Sequence, residues 1–380
     1  MEARILDRGN DLWESRYRNF ICKKNLLGSG ARSAYASLEW REILSGNLKT
    51  ARDIYIIVAE KDEIICALPA FITDFPKGNV INSLPTIRGF GGYGGPVFTA
   101  DESESGWERI KKALKLLYDY IDKIARDNGC VSFTFSTPPI IDSVMRQRYL
   151  DAVKENFKAD YVSEGFAQIS VIDNVFSGKN FSDRVRRSVR KGISAGVAIV
   201  DKIDRIILNQ MYDYYTARMD EIGVEPKPFA FFEDIYFVMA AKGLARFFAA
   251  LYDGEHIGGL LVVGSEFQEQ QEPMVDYFVP YYSMKHKNLQ PSSVAIDFAM
   301  KFYKSKGIRY WNWQSSSEKN NSVYNFKAGW GAFDVPYYYF TRIYQSENAI
   351  KNLWAENKDR YKWYYVAPFD VFREFRGIYR

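Results

Sequence analysis

The chain has 380 residues, too many for one ordinary hydrophobic core, so two domains are expected. Apolar residues make up 47% and charged residues 26%, and the net charge of +4 gives no global electrostatic footprint for DNA, so any anion contact must be local. Two histidines and three cysteines (Cys22, Cys66 and Cys130), without CxxC or His/Cys ligand spacing, argue against a metal centre and most histidine-based triads; reduced thiols are expected.

The N-terminal "MEARILDRGNDLWESRYRNF" is charged throughout and lacks the apolar core of a secretory signal. No stretch approaches the roughly 18 apolar residues of a membrane span. A cytoplasmic location is the expectation. Residues 53–73, "DIYIIVAEKDEIICALPAFIT", predict a hairpin turning at "EKDE". The glycine-rich "SLPTIRGFGGYGGPVF" that follows has neither the strand-to-helix context of a dinucleotide loop nor the GK[ST] of a P-loop. Its glycines suit sharp turns and close approach, and Arg88 is a candidate clamp for a substrate carboxylate or phosphate. The spacing of Ile110, Ala113, Leu114, Leu117, Ile121 and Ile124 predicts one buried face of a long helix, with Ser105 and Glu108 as a capping box and Gly129 after the last turn. The aromatic strand "CVSFTFS" comes next.

The segment "FSGKNFSDRVRRSVRKGISAGVAIVD" predicts a basic helix on which Arg184, Arg187 and Lys191 share a face, beside Arg186 and Arg190. Arg187 and Arg190 are candidate donor-phosphate ligands, for a phosphate-bearing substrate, CoA or tRNA; a solvated basic face is the alternative. "ARFFAALYDGEHIGGLLVVG" then predicts a second hairpin at Asp253-Gly254. In the loop "PYYSMKHKNLQPSS", Lys285 and His286 bring positive charge and Ser292 and Ser293 are helix caps, so this strand-to-helix loop is a second candidate phosphate site. A helix and the strand "IRYWNWQ" complete the pattern. Hairpin, loop, helix and strand occur twice, about half a chain apart, which predicts an internal duplication. The fold class expected is α/β with a mixed sheet and α+β character, in domains spanning 1–165 and 166–345, followed by a tail, 346–380, packed on the core.

The segment "SSSEKNNSVYNFKAGWG", residues 315–331, reads as the loop at the end of that last strand, on the same side of the sheet as the 280–293 loop. It sets Lys327 between Phe326 and Trp330. A cation there would stabilise a developing oxyanion or hold a phosphate, with the aromatics excluding water. Asn312, Gln314, Ser315 and Tyr324 are candidate hydrogen-bonding groups around it, and Trp330 a candidate substrate contact. No paired-carboxylate motif, GxSxG elbow or HExxH is present.

Together "RRSVRKGISAGVAIV", "YDGEHIGGLLVV", "NLQPSSVAIDFAMKFYKSKGIRYWNW" and "YNFKAGWGAF" resemble the FemAB family, a branch of the GNAT superfamily built from two tandem GNAT-like domains. "SLPTIRGFGGYGGPVF" resembles that family's first-domain feature. The likeness spans roughly residues 35–345, and its sharpest element is Phe-Lys followed by Trp-Gly. It implies transfer of an amino acid from aminoacyl-tRNA to an amine of a peptidoglycan or other cell-envelope precursor, with Lys327, beside Phe326, as the residue of acyl transfer. No permanently bound cofactor is implied; aminoacyl-tRNA or acyl-CoA would be the donor substrate. The sequence departs from the family's glycyltransferase type in lacking a charged, coiled-coil-like helical arm inserted in the second domain, and from CoA-using GNAT enzymes in carrying "MKHKNLQPSS" where they have a QxxGxG/A loop. Two alternatives accompany this reading: an acyl-CoA-dependent N-acyltransferase acting on an amino sugar, amino acid or other small amine, and a non-catalytic glycan- or peptide-binding module. The C-terminal "YKWYYVAPFDVFREFRGIYR" is expected to pack on the second domain, with peripheral membrane contact as the alternative.

Overall fold

The structure is a computed structural model, and it describes residues 1–23, 26–27, 32–74, 78–83, 94–99, 103–172, 180–266, 273–316, 318–346, 348–352 and 355. Arg88 and nearly all of the tail lie outside the described residues. The chain forms two compact units, the first holding Met1–Phe166 and the described residues from Pro336 onward, the second the described residues between Ala167 and Val335. Residues 336–344, expected at the end of the second domain, thus belong to the first unit, because their backbone pairs there with an earlier strand.

In chain order the first unit contains β1 (Glu2–Ile5), α1 (Asp11–Ile21), β2 (Leu26–Leu27), α2 (Arg32–Tyr35), α3 (Leu38–Asn47), β3 (Ala51–Asp53), β4 (Ile56–Glu60), β5 (Glu63–Leu68), β6 (Phe71–Thr73), β7 (Asn79–Asn82), β8 (Val97–Thr99), α4 (Glu104–Asp127), β9 (Cys130–Ser136) and α5 (Ser143–Asn156). The strand β10 (Tyr161–Val171) carries the chain into the second unit. β4 and β5 form the first hairpin as expected, with Lys61 in the left-handed region at its turn. Residues 71–73, expected in that hairpin, instead form β6 and pair with β3 and β7.

The apolar row of α4 is buried as its spacing requires, against β-strand residues such as Ile56, Val58 and Phe133. Its cap is Ser103, which accepts from the Gly106 N–H at 3.1 Å, and not Ser105. The helix starts two residues early, where Ser103 can adopt extended backbone, so the Ser105–Glu108 box falls inside the first turns. β7 and β9 run parallel, with α4 in the connection between them.

The second unit continues with α6 (Asp183–Ser194), β11 (Ala198–Val200), α7 (Arg205–Glu221), α8 (Phe229–Asp234), β12 (Ala245–Tyr252), β13 (Glu255–Val263), β14 (Met274–Tyr282), α9 (Pro291–Ser305), β15 (Tyr310–Ser315) and α10 (Ser322–Ala328). β16 (Phe333–Ile343) returns the chain to the first unit, where it pairs with β9. The strand order in the second unit is β11-β12-β13-β14-β15-β10, antiparallel except for β14–β15. Asp253 (φ 49°) and Gly254 (φ 75°) both lie in the left-handed region, the turn that matches strand twist, so the predicted hairpin forms.

The parallel pair β14–β15 is joined through α9, repeating the β7–α4–β9 design. The repeat differs at the hairpin: β12–β13 continues directly into β14, whereas β4–β5 lies in a separate five-stranded sheet, β1-β4-β5-β8-β2. Alternation along β15 sends Trp311 and Trp313 into a core with Phe248, Leu260, Val262, Val275, Ala295, Ala299 and Trp330. α6 lies on α9 through Val185, Val189 and Gly192. Only glycine fits at 192, since a Cβ there would collide with the Val294 methyl and come within 2.7 Å of the Leu289 carbonyl oxygen.

Candidate functional site

Lys327 lies on α10, a two-turn helix, where a loop was expected. Seven residues carry too little periodicity to predict a helix, and this one is held by its surroundings. Asn321 caps it by accepting from the Tyr324 N–H at 2.7 Å. From β10, Gln168 donates its side-chain amide to the Tyr324 carbonyl at 3.1 Å, and its own amide oxygen accepts from the Ser316 hydroxyl at 2.7 Å. Beyond the helix, Ser170 accepts from the Trp313 indole at 2.8 Å and donates to the Trp330 carbonyl at 3.0 Å. Sheet and helix are thereby tied at both ends.

The Lys327 side chain is 5% exposed. Its Nζ donates to the carbonyl oxygens of Ser315 at 2.7 Å and Gln314 at 3.3 Å, both at the end of β15. No carboxylate among the described residues pairs with it, and burial depresses the ammonium from the usual lysine range to about 8. The nearby acid Asp334 is engaged by Lys319 at 2.7 Å. An ammonium has three N–H donors; among the described residues two carbonyls take two of them, leaving one that could meet a ligand. Phe326 is 40% exposed and lies edge-on to Trp313 with ring centroids 5.9 Å apart. Trp330, proposed from sequence as a substrate contact, is a core residue, 1% exposed and packed on Phe181 and Trp313.

The other candidates around Lys327 divide by depth. Ser315 is exposed, Gln314 and Tyr324 are half-buried, and Asn312 is fully buried. Asn312 Nδ2 donates to Asp276 Oδ1 at 2.8 Å, and the Tyr324 hydroxyl reaches Asp334 at 3.4 Å. Asp276, on β14 and fully buried, was not singled out from sequence. Its signal was present in "MVDYFVPYY", a lone acid inside a strand of buried apolar residues, which demands a partner. Lys227 was missed too. It is 5% exposed, burial pushes its ammonium down to about 7, and its backbone is held between the Tyr215 and Tyr212 hydroxyls. The sequence "EPKPF" around it gives no periodic signal.

The candidate phosphate residues occupy the start of α9 and the outer face of α6. Met284–Leu289 form a 3-10 turn, Gln290 takes the left-handed region at φ 59°, and Pro291 opens α9. Ser292 and Ser293 therefore sit within the first turn and do not cap it: proline has claimed the first helical position. The Ser292 hydroxyl is buried with no hydrogen-bond partner among the described residues. Lys285 and His286 lie 3.6 and 3.8 Å from Glu255, which offsets the positive charge expected of them. Arg187 and Arg190 are exposed on α6, away from the Val185–Val189–Gly192 side that meets α9. Because β14 and β15 run parallel, the α9 start and the Lys327 segment leave the sheet at the same end. A cavity of about 500 Å³ lined by Asp201, Tyr236, Phe237 and Arg246 lies instead at the β11–β12 side of the sheet.

Searches of the sequence against protein-family models and against curated proteins give no match. Solved structures do match, and they define the class: mixed α/β proteins of two tandem GNAT-like domains. FemX is among them, 14% identical, with a TM-score of 0.67 over 93% of this chain and 99% of that one. L-PGS from Bacillus licheniformis is 12% identical with a TM-score of 0.56, covering 93% and 97%. A tandem GNAT protein from the clavulanic acid biosynthesis pathway is 11% identical with a TM-score of 0.51, covering 91% and 99%. The chain thus has the fold that the FemAB resemblance implied.

Proposed function

We propose that the protein is an N-acyltransferase of FemAB type that moves an aminoacyl group from aminoacyl-tRNA to an amine of a cell-envelope precursor in the cytoplasm. The observation that carries this reading is Lys327: a buried ammonium held by two backbone carbonyls, with no acid partner among the described residues, at the end of a sheet of GNAT type. The acceptor amine attacks the ester carbonyl carbon, the C–N bond forms, and the carbonyl oxygen takes up negative charge. The third N–H of Lys327 meets that charge in a site where burial strengthens the interaction. The C–O bond then breaks, and the proton lost by the amine goes to the departing ribose oxygen. The exposed Arg187 and Arg190 would meet the donor's phosphates.

Structural neighbours agree with transfer chemistry of this general kind: one is the C-terminal domain of a putative lysylphosphatidylglycerol synthetase and another a tandem GNAT protein from the clavulanic acid biosynthesis pathway, in a structure without AcCoA. The unpartnered Ser292 hydroxyl at the start of α9 keeps acyl-CoA as the second donor reading. Transfer of labelled amino acid from charged tRNA to amine acceptors, wild type against Lys327→Met, tests the first reading. A fall of about 10²–10³ in turnover is expected for loss of one oxyanion donor, and undiminished transfer by a folded variant overturns it. A rise in melting temperature with CoA or acyl-CoA, by mass action, would favour the second.

A further inference from the structure

The β14–β15 ladder is three residue pairs long and ends where Asp276 faces Asn312. A carboxylate only accepts hydrogen bonds, so Asn312 must turn its Nδ2 toward Asp276, at 2.8 Å. That leaves Asn312 Oδ1 directed to the Gln314 N–H, at 2.9 Å. Gln314 also reaches Asp276 through its side-chain amide, at 3.4 Å. With these restraints Gln314 holds φ 61°, a backbone state that glutamine adopts only where its surroundings over-determine it. The backbone reversal at Gln314 is what turns two successive carbonyls, those of Gln314 and Ser315, toward Lys327 Nζ.

We infer that Asp276 is a positioning residue for Lys327: its carboxylate orients Asn312, Asn312 holds Gln314 left-handed, and Gln314 sets the carbonyl pair that grips the amine. The inference rests on the reading of Lys327 as the working amine, but its test needs neither donor nor acceptor, so failed transfer chemistry and failed positioning give separate results. The folded protein is labelled with trace acetic anhydride between pH 6 and 10, and acetylation of Lys327 is followed by mass spectrometry. The wild-type profile is expected to have its midpoint near 8, well below the ordinary lysine range, because the amine is buried. In Asp276→Asn the carbonyl grip on the charged amine loosens, the midpoint falls by about one pH unit, and labelling near pH 6.5 rises about tenfold.

Adding Gln314→Gly must then restore the wild-type profile, because glycine takes φ 61° without strain. Asn312→Ala, which removes only the middle link, must give the same shift and the same rescue, and it serves if Asp276→Asn does not fold. An unchanged profile in either folded variant overturns the inference. So does a shift that glycine at 314 fails to reverse, since Asp276 would then act as an ordinary core residue.

Discussion

Replacing Lys327 by methionine separates what the amine costs the fold from what it does. The ammonium sits at about 8 against an ordinary 10.5. At 1.36 kcal/mol per pH unit, keeping it charged at pH 7 costs the native state about 3 kcal/mol. Methionine removes that cost and fills much of the same volume, but releases the Gln314 and Ser315 carbonyls, at about 1 kcal/mol each. Net stability at pH 7 is therefore expected to rise by about 1 kcal/mol, or about 2–4 °C for a unit of this size. The sign of the pH dependence follows from the depressed value. Between about 8 and 10.5 the unfolded chain binds the Lys327 proton that the folded chain has released, so wild-type stability gains with rising pH there. The methionine variant lacks this gain, and its advantage over wild type must shrink as pH rises from 7 to 10. Paired thermal melts at the two pH values measure it. A variant that is much less stable than wild type at pH 7, or whose difference from wild type is the same at both pH values, would refute the account of Lys327 as a costly buried cation.

Trp330→Ala should lower unfolding free energy by about 3–5 kcal/mol in denaturant titrations, since the indole is in the core and not in a groove. Gly192→Ala should cost about 1–3 kcal/mol, because the new methyl meets Val294 and the Leu289 carbonyl where α6 crosses α9. Arg187→Ala and Arg190→Ala, both exposed, should leave the melting temperature unchanged while lowering the salt dependence of tRNA binding by about one phosphate contact each; equal salt slopes would remove α6 from the donor site.

The elements legible in the sequence are those whose signals are local. Asp253-Gly254 supplies both positive φ values of its turn, the α4 row from Ile110 to Ile124 repeats at helical spacing for about four turns, and α6 declares itself by its arginines on one side and valines on the other. What was hidden depends on partners far along the chain. α10 forms because Gln168, more than 150 residues earlier, bonds its Tyr324 carbonyl. The serines at 292 and 293 look like caps until Pro291 takes the position they would need. Lys327 could be picked out, since a cation among aromatics near a strand end is conspicuous, but the Asp276–Asn312–Gln314 relay behind it joins two strands that touch over three residue pairs, and no spacing rule reports that.

The indole arrangement beneath Lys327 has an optical consequence. Trp313 stands between Trp311 and Trp330, with centroids 5.9 and 5.8 Å away, close enough for their excited states to couple. Trp313 also meets the half-exposed ring of Phe326, the neighbour of Lys327. Any occupant that shifts Phe326 or α10 changes the surroundings of this trio, so near-ultraviolet circular dichroism and intrinsic emission give a built-in gauge of binding, usable before either substrate is known.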